Sequence, residues 1–328
     1  MKAVFITDLG DGAGLEIREV ADPPPPSGSE VLLRVKAAGV NRADLIQKKG
    51  LYPPPPGFSP NIPGLEFAGE VAAVGPDVKG LSIGDRVFGI TAGEGQAEYL
   101  TVDHSLVAKI PEDLSFSEAA AIPEAFVTAH DAVVTQAGLS RGETLLIHAV
   151  GSGVGLAALQ IGKAIGATVL GTSRSDEKLQ RCREFGLGKG IDTSIASDFT
   201  ESVFSATGGR GSDVILDLVG ASYFEQNLKC LAPKGRLMLV GLTGGRRAEF
   251  DLGVALAKRL TIKGTVLRSR SAEEKASAMK GFESDIVPLF ASGTIRPNLD
   301  RVFSFDEVER AYSYLESNES FGKVVLEW

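Results

Sequence analysis

A glycine-rich segment in the middle of the chain has the spacing expected of a phosphate-binding turn. It follows the apolar run Thr144–Ala149 directly and consists of Gly151, Ser152, Gly153, Val154 and Gly155. Glycine accepts the φ angles of a tight turn, and its missing Cβ lets a pyrophosphate approach the backbone. A helical pattern begins at once, and its N-terminal N–H groups would bind phosphate oxygens. Strand, turn and helix together predict a dinucleotide site, with an ordinary glycine turn as the alternative.

The residues about 20 positions beyond these glycines favour NADPH over NADH. An NAD site usually has an Asp or Glu there for the ribose hydroxyls, whereas this chain has Ser173 and Arg174, followed by Lys178. Hydroxyl, guanidinium and ammonium groups suit a 2′-phosphate, which a guanidinium binds through two hydrogen bonds. Asp176 is better explained as a favourable charge near a helix N-terminus. The alternative interpretation of Arg174 is a solvated surface charge.

The elements that must position this site alternate between apolar runs and helical patterns. This rhythm is typical of a doubly wound parallel sheet, and apolar runs without alternation suit strands covered on both faces. The six runs are Thr144–Ala149, Thr168–Thr172, Gly190–Thr193, Asp213–Leu218, Arg236–Val240 and Thr261–Val266. The helices predicted between them are Val154–Ile165, Asp176–Phe185, Phe199–Thr207 and Tyr223–Leu231.

The flanking parts of the chain predict a second, β-rich domain. Alternating segments bounded by Gly, Pro and Asp precede a long helical pattern, Ser115–Ala137, which Pro123 is expected to kink or split. We place the domain boundary there. The early strands are predicted at Lys2–Ile6, Leu15–Val20, Glu30–Ala38, Glu66–Gly75, Asp85–Ile90 and Ala97–Val102. The segment after Leu267 should fold back onto them, with elements at Ala272–Phe290 (helix), Val302–Phe305 (strand), Asp306–Leu315 (helix) and Lys323–Leu326 (strand).

Composition narrows the class of protein. The 328 residues carry a net charge of −8, and such an acidic surface makes nucleic acid an unexpected partner. The only cysteines, Cys182 and Cys230, suggest neither a disulfide framework nor a metal knuckle. No apolar stretch approaches the roughly 18 residues of a membrane span, and the first residues resemble a strand more than a signal peptide. A cytoplasmic enzyme without membrane attachment is the expectation.

Several motifs, in order along essentially the whole chain, resemble the medium-chain dehydrogenase/reductase superfamily. They are the runs Ala37–Asp44 (AAGVNRAD), Gly64–Val71 (GLEFAGEV) and Gly84–Val87 (GDRV), together with the late glycine turn. The segment Leu51–Gly57 (LYPPPPG) and the closing Gly322–Leu326 (GKVVL) look like the zinc-free quinone reductase branch, which includes zeta-crystallin. The resemblance implies an α/β protein with a GroES-like catalytic domain (residues 1–122 and 267–328) and an inserted Rossmann domain (residues 123–266). It also implies a cofactor cleft between the domains and a homodimer formed by pairing the sixth Rossmann strands.

The resemblance further implies that the catalytic zinc of related alcohol dehydrogenases is missing. Those enzymes have a Cys ligand where this chain has Asn41 and a His where it has Leu65, and a catalytic zinc needs about three such ligands. Zinc polarises the oxygen of an alcohol or carbonyl. A quinone or an activated enone is electrophilic enough to accept a hydride with modest help from hydrogen bonds. We therefore expect no metal and an electrophilic substrate.

Three residues are candidates for the substrate site. Asn41, which the resemblance puts beside the nicotinamide, would donate a hydrogen bond to the substrate or cofactor, or cap a helix. Asp44 would hold Asn41 or a nearby loop, or occupy the first turn of a helix. Tyr52 would line the pocket and donate through its phenol, or act as a surface anchor.

Further residues are expected near the cofactor by resemblance. Thr128 lies in a stretch similar to the family's nicotinamide-side helix, although a hydroxyl bonded to its own helix is the alternative. The turn Val240, Gly241 and Leu242 should pass beneath the nicotinamide. Arg268 and Arg270 follow the sixth strand and would contact cofactor or substrate, or be surface charges. Lys323 would approach the cofactor, whereas His148 is expected to be packed rather than catalytic.

These observations predict an NADPH-dependent, zinc-independent quinone oxidoreductase. A related zinc-free reductase of α,β-unsaturated aldehydes or ketones remains the alternative among enzymes. A non-catalytic NADPH-binding protein, crystallin-like or RNA-binding, is the alternative outside enzymes, although the net charge of −8 opposes the RNA-binding version.

Overall fold

The computed structural model describes every residue from Met1 to Trp328. Contacts between residues divide the chain into two units. Unit 1 contains Met1–Val127 and Leu267–Trp328, and unit 2 contains Thr128–Val266. The division falls inside helix α3 (Pro123–His130). None of the helices combines the length and apolar character needed to cross a membrane.

Unit 1 is built on a mostly antiparallel sheet of seven strands and a separate hairpin. The strands are β1 (Lys2–Thr7), β2 (Gly14–Glu19), β3 (Glu30–Val40), β4 (Glu66–Val74), β5 (Arg86–Ile90), β6 (Tyr99–Asp103), β7 (Val107–Lys109), β14 (Leu299–Ser304) and β15 (Lys323–Glu327). One hydrogen-bonded path runs β14-β15-β3-β4-β5-β7, β6 also pairs with β3, and β1 and β2 form the hairpin. The closing strand β15 lies antiparallel to β3, with Val324 opposite Val40, so the C-terminal segment returns to the first part of the chain, as predicted.

Unit 1 departs from the prediction in three places. Its helices are α1 (Arg42–Lys48), α2 (Phe116–Ala120), α9 (Ala272–Asp285), α10 (Val287–Ala291) and α11 (Val308–Glu316). Helix α1 is not among the predicted elements, because its seven residues are too few for a clear amphipathic pattern. The alternatives given for Asn41, a helix cap, and for Asp44, a first-turn residue, do match its start. The predicted helix Ala272–Phe290 is two helices, because the chain leaves regular helix at Ile286. The short strand β7 was also missed.

Unit 2 contains a six-stranded, wholly parallel sheet. The strands are β8 (Thr144–Ile147), β9 (Thr168–Ser173), β10 (Lys189–Asp192), β11 (Ser212–Asp217), β12 (Leu231–Leu239) and β13 (Thr261–Gly264). Their order across the sheet is β10-β9-β8-β11-β12-β13. All six occur where predicted, and helices α4 (Gly153–Ile165), α5 (Asp176–Arg183), α6 (Thr200–Ala206) and α7 (Ala221–Cys230) alternate with them. The doubly wound sheet is therefore confirmed.

The prediction for unit 2 was wrong in two details. Leu231 begins β12 instead of ending a helix, since it is fully buried and pairs with Ser212. The helix α8 (Leu252–Lys258) was not predicted. In the segment before the glycine turn, the break at Pro123 is confirmed: α2 ends at Ala120 and α3 begins at Pro123. The helix then widens to a π-helical turn at Asp131–Gln136.

Candidate functional site

The glycine turn has the close backbone packing that its sequence predicted. Helix α4 begins at Gly153, and the Ser152 side chain caps it by accepting the Gly155 N–H at 3.1 Å. Ala149 has a positive φ of 50°, which is costly for a residue with a Cβ and is often found at functional turns. A Cβ on Gly155 would lie 2.6 Å from the Ala149 carbonyl oxygen. Only glycine at position 155 allows the helix to start this close to the strand that precedes it.

Replacing Gly155 by Ala should lower the free energy of unfolding by about 1–3 kcal/mol, as overpacking does in well-packed cores. It should also weaken dinucleotide binding on the order of tenfold, since the turn must open to make room for the methyl group. Urea unfolding and a fluorescence titration with NADPH measure the two effects. The control is Gly12→Ala, at a glycine with ordinary φ where an added Cβ would have no atom within 4 Å. Equal behaviour of the two variants would contradict this account of the turn.

The end of strand β9 places polar groups where the adenosine ribose is expected. Ser173 accepts the Ser175 N–H at 3.1 Å, and Ser175 caps helix α5 by accepting the Lys178 N–H at 3.3 Å. Arg174 is exposed. The Asp176 carboxylate accepts from Gln180 at 3.2 Å, one turn along the same helix. Asp176 therefore acts within its helix, as its sequence position favoured.

The turn after β12 is held by the end of the neighbouring strand β11. The N–H groups of Val240 and Gly241 both donate to the Asp217 carbonyl, at 2.9 and 3.2 Å, while Leu242 is half exposed. The Asp217 carboxylate accepts from Asn227, which binds His148 at 2.6 Å. His148 is fully buried, and burial lowers its pKa. It is a packed, neutral histidine, as expected.

The Thr128 hydroxyl is not bonded to its own helix, which was the alternative interpretation of this residue. Its hydroxyl is buried and has no hydrogen-bond partner, not even the carbonyls of its own helix. Buried hydroxyls are rarely left unsatisfied, and each one asks for an explanation such as a missing ligand. This orphan group and the tight glycine turn are two features of unit 2 that fit a bound dinucleotide.

In unit 1, three residues form a buried polar cluster: Asn41, Glu66 and Lys323. Asn41 and Lys323 were candidates in the sequence, whereas Glu66 was not. The Lys323 ammonium lies 2.5 Å from both Glu66 Oε1 and Asn41 Oδ1, and Asn41 Nδ2 donates to Glu66 Oε1 at 2.8 Å. Glu66 is 0% and Lys323 4% exposed. Ammonium only donates and carboxylate only accepts, so the orientation of the Asn41 amide is determined. Its second N–H remains for a ligand.

The cluster explains a glycine in the first motif and the role of Lys323. A Cβ on Gly39 would lie 2.1 Å from Glu66 Oε1, so glycine leaves the space that the carboxylate fills. The third ammonium hydrogen of Lys323 faces the Val40 carbonyl at 3.3 Å. With three protein partners for its three hydrogens, Lys323 holds Asn41 and has no donor to spare for a cofactor. Glu66 lies in a motif recognised in the sequence, but no role was predicted for it.

Asp44 lies under this cluster and holds the backbone around it. Its carboxylate accepts the Asn41 N–H at 2.7 Å and the Gly64 N–H at 3.2 Å. It is fully buried, and burial raises its pKa to about 6 despite these hydrogen bonds. Both interpretations of Asp44 describe part of its role, because it sits in the first turn of α1 and also anchors Asn41.

Arg268 is not a surface charge, which was the alternative for it. It is 4% exposed and donates to the Ala92 carbonyl at 2.7 Å, the Tyr52 carbonyl at 2.9 Å and Gln47 Oε1 at 2.6 Å. Its guanidinium also lies 4.9 Å from the centre of the Tyr52 ring. Arg268 therefore fixes the Tyr52 loop. Arg270 is partly buried just before helix α9, and its backbone N–H donates to the Leu267 carbonyl.

The donor set in the structure does not form a metal centre. No group of three or more His, Cys, Asp and Glu side chains is arranged to hold a metal ion. Cys182 and Cys230 are free, buried thiols, and burial raises their pKa to about 12 and about 11. The sulfur ligands of a catalytic zinc site are thus lacking around Asn41.

A doubly wound parallel sheet with a tight glycine turn, together with an antiparallel domain that contains a buried polar cluster, is the architecture of a nucleotide-binding protein. Two family models match: the alcohol dehydrogenase GroES-like domain at residues 27–112 and the zinc-binding dehydrogenase at residues 153–283. Quinone oxidoreductase-like protein 2 of Bos taurus is 33% identical over 95% of this chain and 88% of its own length.

Solved structures show the same similarity over the whole chain. A mycobacterial protein complexed with NADPH has a TM-score of 0.88 at 29% identity, covering 100% of both chains. An NAD-dependent alcohol dehydrogenase has a TM-score of 0.87 at 31% identity, also covering 100% of both. The CurK enoyl reductase has a TM-score of 0.86 at 27% identity, covering 99% of this chain and 98% of its own. The chain belongs to the medium-chain dehydrogenase/reductase superfamily and is an oxidoreductase with a GroES-like and a Rossmann-like domain.

Proposed function

We propose that the protein is an NADPH-dependent quinone reductase that works without zinc. The observation that carries the proposal is the Asn41–Glu66–Lys323 cluster at the position where zinc-dependent relatives have a metal ligand. A divalent cation bound to Asn41 Oδ1 or Glu66 Oε1 would lie against the ammonium that is 2.5 Å from both atoms. Like charges at such separations repel strongly in a buried site. The ammonium and a metal ion therefore exclude each other.

Most of the residues proposed to hold the cofactor follow the carboxyl ends of the parallel strands, where such sheets bind ligands, whereas Thr128 lies on helix α3. The glycine turn would bind the pyrophosphate, and Ser173, Arg174 and Lys178 the 2′-phosphate. Thr128 would offer its unpartnered hydroxyl to the nicotinamide end of the cofactor. The turn formed by Val240, Gly241 and Leu242 would also contact the nicotinamide. When bound, the reduced nicotinamide supplies a hydride.

The proposed substrate contacts come from unit 1. Asn41 keeps one N–H free to stabilise a developing oxyanion, and its orientation is fixed before the substrate arrives. Burial raises the pKa of Tyr52, so its phenol stays protonated and able to donate. A single amide and a phenol are weak substitutes for a metal ion. They suit a quinone, which is already electrophilic, better than an alcohol.

A zinc-free enone reductase is the second candidate. It is favoured by the similarity to the CurK enoyl reductase, which is 27% identical over almost the whole chain. Both reactions use the same hydride donor and need the same hydrogen bonds to an oxygen, so they differ in the shape of the substrate.

We also propose a homodimer, no nucleic-acid partner and a cellular location. Strand β13 lies at one edge of its sheet, and its four residues are exposed, so a second copy would extend the sheet there in a homodimer. The net charge of −8 argues against nucleic acid as a partner. We propose a cytoplasmic location, without contact to membranes.

A substrate panel tests the function. NADPH or NADH is mixed with protein and 1,2-naphthoquinone, a para-quinone or a short enal, and the absorbance at 340 nm is followed. Faster oxidation of NADPH than NADH, with a quinone as the best acceptor, is the expected result. Preference for the enal would replace quinone by enone reduction, and no oxidation with any acceptor despite NADPH binding would support a non-catalytic role.

A further inference from the structure

One carboxyl group beside the buried cluster is not used by any of the interactions above. Glu124 is the second residue of helix α3, and its backbone N–H donates to Glu66 Oε2 at 2.8 Å. Glu66 thus bridges the Asn41 side chain and the Glu124 backbone with its two oxygens. The Glu124 side chain keeps part of its surface accessible, and no hydrogen bond or ion pair engages its carboxyl in the structure.

The charges around Glu124 favour its protonated form. Glu66 on β4 and Asp44 on α1 repel a carboxylate there, while Lys323 on β15 and Arg268 attract one. Tyr52 and Lys275 of α9 face the same region. The Lys323 charge is already matched by Glu66, at 2.5 Å. Burial first, and then the Glu66 charge, raise the pKa of Glu124 to about 8.

We propose that Glu124 supplies the proton that completes reduction of the substrate. The inference deepens the proposed function and rests on it. Hydride addition leaves a pair of electrons on the substrate oxygen as an oxyanion. The O–H bond of the Glu124 carboxyl then breaks, an O–H bond forms on the product, and the resulting carboxylate takes a proton back from water. One hydride from the reduced nicotinamide and one proton from Glu124 balance the reaction.

The neighbours of Glu124 are poorer donors. The three hydrogens of Lys323 are taken by Glu66, Asn41 and the Val40 carbonyl. Asp44 accepts backbone N–H groups with both oxygens. The pKa of Tyr52 is raised by burial and by Glu124, which makes the phenol a weaker acid. Efficient general acids have a pKa close to the working pH, and Glu124 is the group here that combines this with an unoccupied carboxyl.

The first test needs no substrate or cofactor. An acid whose pKa is raised by folding contributes stability below its unfolded pKa of about 4.5, and loses it as pH rises through about 8. The melting temperature of the wild-type protein should therefore fall relative to that of Glu124→Gln between pH 5 and pH 9. Glu201→Gln is the matched control, because Glu201 is also the second residue of its helix but is exposed. Parallel curves for wild type and Glu124→Gln would overturn the inference.

The second test measures turnover against pH with the best acceptor of the panel. We expect Glu124→Gln to lower kcat at least tenfold at pH 7 with an unchanged Kd for NADPH, and to remove the fall of kcat above pH 8 that the wild type shows. Glu124→Asp should recover part of the rate, and Glu201→Gln should match the wild type. A Glu124→Gln enzyme with wild-type kcat and pH profile would sink the inference alone. If none of the acceptors supports NADPH oxidation by the wild-type protein, the proposed function is wrong. The melting curves would still report on the Glu124 proton.

Discussion

Replacing Lys323 by Met should lower the free energy of unfolding by about 3–5 kcal/mol, the usual cost of breaking a buried ion pair. The change removes the ammonium that lies 2.5 Å from Glu66 Oε1 and leaves that carboxylate 0% exposed without its counter-charge. Asn41 would also lose the contact that fixes its amide. Urea unfolding followed by circular dichroism measures the effect. The variant should lose quinone reduction as well, although its dinucleotide-binding unit is unaltered.

The chain offers a matched exposed pair as a control. Lys49 and Glu316 are 2.7 Å apart, but their side chains are 50% and 54% exposed. Lys49→Met should therefore lower the free energy of unfolding by at most about 1 kcal/mol, the usual contribution of a surface ion pair. Adding Glu66→Gln to Lys323→Met should recover much of the loss, since the buried charge is then removed. A loss from Lys323→Met no greater than that from Lys49→Met would show that the cluster does not support the fold.

Removing the two cations near the end of β9 should weaken the proposed preference for NADPH over NADH. The double variant Arg174→Ala/Lys178→Ala is expected to lower kcat/KM for NADPH about 100-fold, because each hydrogen bond to a charged phosphate contributes about 1.5–3 kcal/mol. Activity with NADH should change little, since NADH has no 2′-phosphate. Initial rates at 340 nm with each cofactor give both numbers.

A control variant separates local contacts from the loss of positive charge. Arg183→Ala/Lys189→Ala removes the same two charges at exposed positions beyond the first turns of helix α5. It should leave both cofactors nearly unaffected. Ser173→Asp is the converse change, since a carboxylate there would bind ribose hydroxyls and repel a 2′-phosphate. If the Arg174/Lys178 variant loses NADPH and NADH activity equally, the 2′-phosphate assignment is wrong.

Local sequence patterns predicted most of the helices and strands. The six strands of unit 2 were predictable because each is a short apolar run between turn residues, and Pro123 marked the break in the long helical pattern. Elements whose signals are short or mixed were missed. Helix α1 has seven residues, and helix α8 presents exposed leucines, Leu252 and Leu256, that suggest no buried face.

The sequence identified most residues of the candidate site, but it could not predict which of their side chains contact one another. Motifs singled out Asn41, Asp44 and Lys323, yet the pairing of Lys323 with Glu66 joins the last strand to the fourth. No local periodicity reports such a distant pair. For the same reason, Arg268 was compatible with a surface charge until the structure placed it under Tyr52. Glu124 resembled any first-turn glutamate, because the charged groups that shift its pKa, two upward and two downward, come from four other segments.

The central claim, hydride transfer to a quinone without zinc, is tested most directly with chelator-treated protein of measured metal content. NADPH oxidation by 1,2-naphthoquinone is followed at 340 nm before and after treatment, and again after addition of Zn²⁺. We predict that metal-free protein keeps its full rate, with no gain from Zn²⁺, because Lys323 occupies the place beside Asn41 and Glu66. Loss of activity on chelation that Zn²⁺ restores, or no NADPH oxidation at all by protein that binds NADPH, would contradict the claim.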